Sequence, residues 1–427
     1  MNPFKWKLHW QILFAILLAL VISAAIKITN TSYSGYAMGL VSTCDFIGTI
    51  FMNALKMIIV PLIVSSIICG IMGLGNERNF GRMGIKILIY YTASGLLAVI
   101  VGLLIVNVIR PGSVSSELAV HIIVQAQDAE EFIAKVDGRG SHDMVNIFIR
   151  MVPPNIIKAA TDNGQLLGLI VFSLLFGYFI SKLPHRQLEF QSMLWESIQG
   201  IMMRITNLVI KFAPIGVFGL VMPIILQTGF ELFKPLLLFF ITVILALSIH
   251  FLVTLSLLLK YVGKVNPIKH IKSMAPVLFT AFSTASSAST LPVTLKTVEK
   301  NAGVSNRTAS FTLPLGATIN MDGTALYECI VIIFIAQIYG VLQGFEIGLA
   351  TQFSVVILAL LTSVGVAGIP AASLVAITVI LGAVGLPIEA VGLVWVTDRV
   401  LDMCRTTINV YSDTCGAVII GKTEVEK

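Results

Sequence analysis

Long apolar runs recur along this chain and are separated by shorter polar or charged stretches. Runs of about 20 residues, enough to cross the hydrocarbon of a bilayer, begin near His9, Gly48, Ile87, Leu166, Thr206, Pro235, Phe311, Phe353 and Val391. They are continuous, unlike the alternating segments of about ten residues that build membrane β-barrels. The pattern predicts an all-α integral membrane protein, because a helix satisfies its own backbone hydrogen bonds inside lipid.

The composition supports this class. The chain has 427 residues, of which 56% are hydrophobic and 12% are charged, and its mean hydropathy is +0.93. A soluble globule cannot hide so much apolar surface. The five cysteines lack paired spacing and mostly lie in apolar stretches, so they are interpreted as packing residues without a disulfide or metal role.

The net charge is +6, and the positions of the basic residues along the chain are more informative than this sum. Basic residues precede the first span and follow the second, fourth and sixth: Lys5, Lys7; Arg78, Arg82, Lys86; Lys182, Arg186; and Lys260, Lys264, Lys269, Lys272. By the positive-inside rule, this alternation predicts a multi-pass protein of the cytoplasmic membrane with a cytoplasmic N-terminus. No basic cluster is joined to a soluble domain, so no nucleic-acid partner is expected.

The first apolar run has an alternative interpretation as a cleaved signal peptide. Residues 10–26, WQILFAILLALVISAAI, exceed the usual signal-peptide core of about 7 to 15 residues. The charge alternation also works with this run retained as a span. Compact loops and short tails favour a bacterial source.

Two later stretches are too polar, or too rich in Gly, Pro and Ser, to form ordinary membrane-spanning helices. They are TAFSTASSASTLPVT (280–294) and TSVGVAGIPAASLV (362–375), and each precedes an apolar helix that carries ionisable groups. Paired interruptions of this kind indicate a transporter's binding site, since irregular backbone survives at membrane depth only inside protein or along a cavity. We therefore predict two re-entrant hairpins within an inverted repeat. Alternatively, the small residues only allow helices to pack closely.

A third break, NMDGT (320–324), lies within an apolar run. Asn, Asp and Gly together oppose helix formation, and unwound backbone adds carbonyl oxygens to those of Asn320 and Asp322. Oxygen ligands with one or two carboxylates suit a hard cation. With no lysine or arginine in its own helix, Asp322 is expected to be neutralised by such an ion or by a proton.

The stretch DRVLDMCRTTINVYSD (398–413) places charges inside a late apolar run. On a helix, one polar stripe holds Asp398, Asp402, Arg405, Thr406, Asn409 and Asp413. An aspartate can bind an ammonium group, an arginine a carboxylate bidentately and an amide a second carboxylate. The stripe therefore fits an acidic amino acid, although a purely structural Asp402–Arg405 bridge is the alternative.

Two other classes of protein also place charges in spans. A channel needs a continuous pore with rings of selecting groups, and occluding hairpins around one compact site favour a carrier. An intramembrane aspartyl protease needs two carboxylates that share a proton, whereas Asp398 and Asp402 lie near an arginine. No enzymatic activity is expected.

The segments STASSASTLP, LPLGATINMDGTALYE, VGVAGIP and LDMCRTTINVYSD, in this order, resemble the dicarboxylate/amino acid:cation symporters, which include the excitatory amino acid transporters. The resemblance implies eight transmembrane helices, two hairpins and a homotrimer of elevator-type transporters. It implies scaffold helices in 1–83 and 111–228 and a mobile transport domain made of 84–110 and 229–427. The implied function is sodium-coupled and proton-coupled import of L-glutamate or L-aspartate.

The same resemblance assigns a substrate site. Asp402 matches the group for the substrate amino group, Arg405 the group for its side-chain carboxylate, and Asn409 with Ser287 the groups at the α-carboxylate. Residues from Ile369 to Ser373 match the lid of the second hairpin. The full set is Ser286, Ser287, Thr324, Ile369, Ser373, Asp402, Arg405, Thr406 and Asn409.

Up to three sodium sites are implied as well. The first comprises Gly316, Asn320, Asn409 and Asp413; the second Thr318, Ser363, Val364 and Val366; the third Tyr91, Ser94, Asn320 and Asp322. Glu328 is on the same helical face as Asn320 and Thr324, where proton-coupled relatives carry a glutamate and sodium-only relatives a glutamine. Since burial disfavours the charged form of a carboxyl, we predict that Glu328 is the proton acceptor. The alternative is a structural acid that is only hydrogen-bonded, and potassium countertransport stays open.

Three positions depart from one or another branch of that family. Gly95 replaces a hydroxyl residue near the third sodium site, and Ala285 and Met403 stand where archaeal and animal members, respectively, carry an arginine. These differences leave the ion stoichiometry open. A C4-dicarboxylate or a neutral amino acid is the alternative substrate, but Asp402 favours an amino group and Arg405 an acidic side chain.

Overall fold

The computed structural model describes residues 8–28, 35–75, 81–124, 149, 152–161, 166–228, 233–343, 348–365 and 372–425. The helices are α1 (Leu8–Ile28), α2 (Gly35–Gly75), α3 (Gly81–Ile109), α4 (Ser116–Val124), α5 (Ile156–Thr161), α6 (Leu166–Ile180), α7 (His185–Lys211), α8 (Ala213–Thr228), α9 (Phe233–Ile249), α10 (Leu255–Tyr261), α11 (Pro267–Thr284), α12 (Ser287–Ala302), α13 (Asn306–Ile319), α14 (Asp322–Gln343), α15 (Leu349–Gly365), α16 (Ala372–Val384) and α17 (Trp395–Val425). A π-helical turn, His250–Thr254, joins α9 to α10, and a 3-10 turn, Ile388–Val394, precedes α17. The described part contains helices and no strand, which confirms the helical class.

Three helical stretches within the described ranges are long and apolar enough to cross a bilayer: Met83–Ile109, Lys234–Tyr261 and Asn306–Val341. A fourth span results if α7 and α8, bent by 53° relative to each other, are taken together. Shorter apolar helices cover Phe14–Ile26, Gly39–Phe51, Val60–Met72, Gly168–Ile180 and Leu349–Ser363. The expected total of eight spans stays a prediction.

Helices α1, α2, α6, α7 and α8 pack mainly on one another, whereas α3 packs against α14. Helix α1 lies along α8, and α2 contacts α6, α7 and α8. Helices α2 and α8 approach closely through glycines, because a Cβ on Gly219 would come within 2.7 Å of the Cys44 carbonyl oxygen and 2.9 Å of the Gly48 nitrogen. Small residues allow such close backbone approach between membrane helices.

Helix α14 lies at the centre of the second half of the fold and contacts α3, α15 and α17. The most apolar window of its span is 83% buried inside the protein, and Leu326, Ile330 and Phe334 are fully buried. Because this helix is surrounded by other helices, its polar residues contact protein and not lipid. The polar residues of α14 therefore face neighbouring helices.

Both predicted hairpins correspond to pairs of packed helices. In the first, α11 and α12 contact each other and are joined at Ala285, which has a left-handed φ of 48°, and Ser286, whose side chain caps α12 by accepting from the Ser289 amide. In the second, α15 contacts α16. The tip of that hairpin, 366–371, lies outside the described residues.

The predicted break at NMDGT is confirmed. Helix α13 ends at Ile319, Asn320 has the non-helical angles φ −92° and ψ 88°, and α14 begins at Asp322. The two helix ends and the two residues between them meet α17, which contacts both α13 and α14. The break therefore brings backbone polar groups next to the charged stripe of α17.

Candidate substrate and cation site

The predicted stripe on α17 is confirmed as a buried polar face: Asp398, Asp402, Arg405, Thr406, Asn409 and Asp413 are all buried. Arg405 is only 1% exposed. Its Nη2 lies 2.9 Å from Asp402 Oδ1 and 3.0 Å from Asp398 Oδ1, and its guanidinium carbon lies 3.8 Å from the centroid of the Tyr327 ring. Two carboxylates and an aromatic face thus compensate one buried cation.

The Asp402–Arg405 bridge of the structural alternative is present, and it leaves donors on the arginine unused. Nε and Nη1 of Arg405 are buried and have no hydrogen-bond partner within the described ranges. Arg399 Nη1 lies 3.5 Å from the other oxygen of Asp402. A buried arginine with two unused donors can still bind a carboxylate, so the bridge is compatible with a binding role.

Asn409 joins α17 to the first turn of α14. Its Oδ1 accepts from the amides of Gly323 at 2.8 Å and Thr324 at 3.4 Å, and its Nδ2 donates to Thr324 Oγ1 at 3.0 Å. Glycine is required at position 323, because a Cβ there would lie 2.7 Å from the Arg405 carbonyl oxygen. Two predicted substrate residues, Thr324 and Asn409, are therefore in direct contact, one helical turn from Arg405.

Three residues of the first predicted sodium site also meet. Asn320 Nδ2 donates to Asp413 Oδ1 at 2.9 Å, and a Cβ on Gly316 would overlap that same oxygen. The Asp413 carboxylate therefore lies directly against the backbone of α13 at Gly316. An amide oxygen, a carboxylate and backbone carbonyls near a helix end form an oxygen-rich group of the kind that suits a hard cation.

Asp322 has a richer environment than its sequence context suggested. Ser94 Oγ donates to its Oδ1 at 3.2 Å and Ser412 Oγ to its Oδ2 at 2.7 Å, while His250 Nε2 lies 3.1 Å from Oδ2. The expectation that an ion or a proton neutralises Asp322 did not include His250, which lies in the π-helical turn between α9 and α10. His250 could have been suspected as a lone ionisable residue within an apolar run, but the π-helical turn was not predictable.

The remaining members of the third predicted sodium site are close to Asp322. Ser94 Oγ also lies 3.4 Å from Asn320 Oδ1. Tyr91 donates its hydroxyl to the Thr312 carbonyl at 2.8 Å. A Cβ on Gly95 would lie 3.6 Å from Asp322 Oδ1. A side chain at position 95 would therefore lie beside the Asp322 carboxylate.

No hydrogen bond joins the members of the second predicted sodium group within the described part, although their helices α13 and α15 contact each other. Thr318 and Ser363 each donate to a carbonyl of their own helix, at Leu315 and Leu360. Val366 and Ile369 lie outside the described residues, and nothing is described of the Val364 side chain. Ser286, Ser287 and Ser373, from the two hairpins, are all buried. The Ser373 hydroxyl has no hydrogen-bond partner among the residues that the structure describes.

Glu328 is fully buried on α14. Its Oε2 accepts a hydrogen bond of 2.8 Å from Thr362 Oγ1 on α15, and its Oε1 has no partner in the described ranges. Arg405 acts on it electrostatically. Sequence reasoning identified Glu328 but missed Thr362, because nothing in the sequence pairs two residues that are 34 positions apart on different helices.

The chain is similar to known proteins along nearly its whole length. The model of the sodium:dicarboxylate symporter family matches residues 8–423. The proton/glutamate-aspartate symporter of Escherichia coli (strain K12) is 34% identical over 99% of this chain and 94% of its own. The proton/sodium-glutamate symport protein of Geobacillus stearothermophilus is 32% identical over 98% and 95%, and excitatory amino acid transporter 3 of Mus musculus is 32% identical over 97% and 85%.

Proposed function

This chain belongs to the sodium:dicarboxylate symporter family, and on that premise we propose that it is a membrane symporter that imports L-glutamate or L-aspartate together with sodium ions and a proton. The observation that carries the proposal is the buried Arg405, held by Asp398 and Asp402 beside Asn409. Relatives named as glutamate or aspartate symporters match nearly the whole chain.

We propose that the substrate exchanges with the internal ion pairs of the stripe. Its side-chain carboxylate binds the unused donors of Arg405, and its ammonium group binds Asp402, which thereby gains a new cationic partner as Arg405 turns towards the substrate. Asn409 and Thr324, already in contact at 3.0 Å, bind the α-carboxylate end with the serines of the first hairpin. Each buried charge then keeps a partner of opposite sign, which limits the cost of binding in a dry site.

The cargo cations bind where carboxylates meet broken backbone. We propose sodium sites at Asp413 with Gly316, Asn320 and Asn409, at Asp322 with Asn320, Ser94 and Tyr91, and at the second hairpin with Thr318, Ser363, Val364 and Val366. Neutralisation of Asp322 and Asp413 by sodium lowers the cost of closing the second hairpin over the substrate. Ions and substrate then cross together.

Glu328 carries the proton in this proposal. It is fully buried on α14, one helical turn after Thr324, and Arg405 acts on it electrostatically. We propose that it binds a proton on the outside and releases it on the inside.

The larger organisation completes the proposal. Residues 1–83 and 111–228 form a scaffold, and residues 84–110 and 229–427 form a transport domain that moves as an elevator within each subunit of a homotrimer in the cytoplasmic membrane. The packing of α1 and α2 on α6, α7 and α8 supports this division, and the contacts of α2 with α13 and α15 and of α4 with α14 lie between the two proposed parts.

Substrate competition tests the proposed function. Purified protein in liposomes takes up radiolabelled L-aspartate, and unlabelled L-glutamate or L-aspartate is expected to suppress the signal at concentrations where succinate, fumarate and L-alanine do not. Suppression by succinate or fumarate at equal concentration would move the assignment to C4-dicarboxylates. Suppression by L-alanine alone would move it to neutral amino acids.

A further inference from the structure

A hydrogen bond links Glu328 to the second hairpin. Thr362 is buried in the last turn of α15, close to the tip of that hairpin, and its Oγ1 lies 2.8 Å from Glu328 Oε2. The same Oγ1 lies 2.8 Å from the Leu358 carbonyl oxygen and 3.3 Å from that of Ala359. The threonine hydroxyl therefore has three acceptors within reach.

One hydroxyl carries one hydrogen, so Thr362 cannot donate to Glu328 and to Leu358 at once. Its oxygen can, however, accept a hydrogen bond while its hydrogen points to the backbone. Two arrangements follow. Either Thr362 donates to an ionised Glu328, or it donates to Leu358 and accepts from a protonated Glu328.

Few groups besides this hydroxyl interact with Glu328 among the described residues. Arg405 on α17 interacts with Glu328 electrostatically, and so does Cys329, the next residue in the chain. Helices α15 and α16 carry no titratable residue. On α17, Asp398 and Asp402 pair with Arg405, and Asp413 accepts from Asn320. On the other helices packed against α14, the titratable groups are Arg82, Lys86, Tyr90, Tyr91, Glu117, His121 and Lys234. Lys86 donates to Thr423, and Tyr90 and Tyr91 interact electrostatically with Asp322. Among the described residues, Thr362 is the side chain that donates a hydrogen bond to Glu328.

We propose that Thr362 is a positioning residue for proton coupling, whose hydroxyl donates to Glu328 when this carboxylate is ionised and accepts from it when it is protonated. This inference rests on the proposed function, since it concerns the proton that Glu328 carries. The proton adds to Glu328 Oε2 and no bond of Thr362 breaks. The threonine hydrogen only rotates to the Leu358 carbonyl, so the hydroxyl stays hydrogen-bonded in both states.

The test is the pH dependence of uptake in three variants. Thr362→Val has nearly the shape of the wild type without the hydroxyl, Thr362→Ser restores the hydroxyl, and Thr242→Val removes another buried hydroxyl that bonds only to a carbonyl of its own helix, at Leu238. Initial rates of L-aspartate uptake into liposomes are measured at saturating sodium between pH 5.5 and pH 9. The readout is the pH at which the rate falls to half.

Removal of the donor destabilises the ionised carboxylate, so Glu328 keeps its proton to higher pH. In Thr362→Val we expect the half-maximal pH to move by about one unit in the alkaline direction, a tenfold change in proton concentration, since a hydrogen bond to a charged group is being lost. Thr362→Ser and Thr242→Val are expected to keep the wild-type value. In a Glu328→Gln background the Thr362→Val shift is expected to vanish.

Several results would overturn the proposal for Thr362: an unchanged or acid-shifted profile in Thr362→Val, an equal loss of rate at every pH, or a loss that Thr362→Ser does not restore. Failure of the proposed function has a different signature. It would be a wild-type protein that accumulates no acidic amino acid, or a pH profile that Glu328→Gln leaves intact.

Discussion

We expect the choice of substrate to depend on a single residue, Arg405. It is buried and bonded to two aspartates, and two of its nitrogen atoms have no hydrogen-bond partner among the residues that the structure describes. Its guanidinium can bind a carboxylate through two parallel hydrogen bonds, which no neutral side chain at this position can do. The cost of losing it is therefore expected to fall on acidic substrates in particular.

Arg405→Gln is expected to lower kcat/KM for L-aspartate at least about thirtyfold, in line with about 2–5 kcal/mol for truncation of a buried charge pair. Neutral amino acids should become better inhibitors relative to aspartate. The matched control is Arg186→Gln, at an exposed arginine in the first turn of α7. An unchanged preference for acidic over neutral amino acids in Arg405→Gln would contradict this role.

Gly316 allows Asp413 to approach the backbone. A Cβ at this position would overlap Asp413 Oδ1 and lie 2.6 Å from Tyr91 Oη. Gly316→Ala is therefore expected to raise the sodium concentration for half-maximal uptake at least tenfold or to abolish uptake. Gly200→Ala, in α7 where an added Cβ meets nothing within 4 Å, serves as the control. Equal sodium dependence in both variants would remove Gly316 from the cation site.

At the scale of elements, the junction of α17 with the start of α14 depends on Asn409. Its Oδ1 accepts from two first-turn amides that have no partner within their own helix. In Asn409→Ala these buried donors lose their acceptor, at about 1–3 kcal/mol, so both substrate and sodium should protect the solubilised protein less against thermal unfolding. Asn301→Ala is the comparison, since the Asn301 amide bonds an exposed carbonyl of the first hairpin at Ser273. Full protection of Asn409→Ala by aspartate and sodium would argue against a shared site.

Sequence patterns predicted the elements of the site well where their signal is local. The 3.6-residue period places Asp398, Asp402 and Arg405 on one face of α17, and the low helix propensity of Asn, Asp and Gly predicted the break after Ile319. Contacts between helices carry no such local signal. His250 and Asp322 are 72 residues apart, and the partners of Glu328 and Asp322 became visible only once the helices were packed.

The number of membrane spans was less predictable for a related reason. Helices α13 and α14 are separated by a break but together form one apolar stretch long enough to span a membrane, whereas α7 and α8 are bent by 53° relative to each other. Hydropathy records apolar length and not direction. The eight spans and two re-entrant hairpins therefore stay a prediction beyond the helices that the structure describes.

For the whole molecule, the proposed elevator motion predicts that a link between scaffold and transport domain stops transport. Phe51 on α2 and Trp395 at the start of α17 are in edge contact, with ring centroids 5.2 Å apart. In a variant whose five native cysteines are replaced, Phe51→Cys with Trp395→Cys should lose uptake when a bifunctional methanethiosulfonate links the pair through two disulfides. Uptake should return when a thiol reductant cleaves these disulfides. Phe176→Cys with Trp195→Cys links α6 to α7 within the scaffold, where the rings are 5.9 Å apart, and should stay active. Transport through the linked Phe51–Trp395 pair would exclude relative motion at this contact.

Cation gradients are proposed to drive the accumulation of an acidic amino acid in this protein. This is measured as uptake of radiolabelled L-aspartate and L-glutamate by the purified protein in liposomes, with sodium, proton and potassium gradients imposed one at a time. We expect accumulation that requires sodium and that an inward proton gradient increases. Accumulation driven by a proton gradient without any sodium would contradict the sodium sites at Asp322 and Asp413, and no accumulation under any gradient would contradict the substrate assignment.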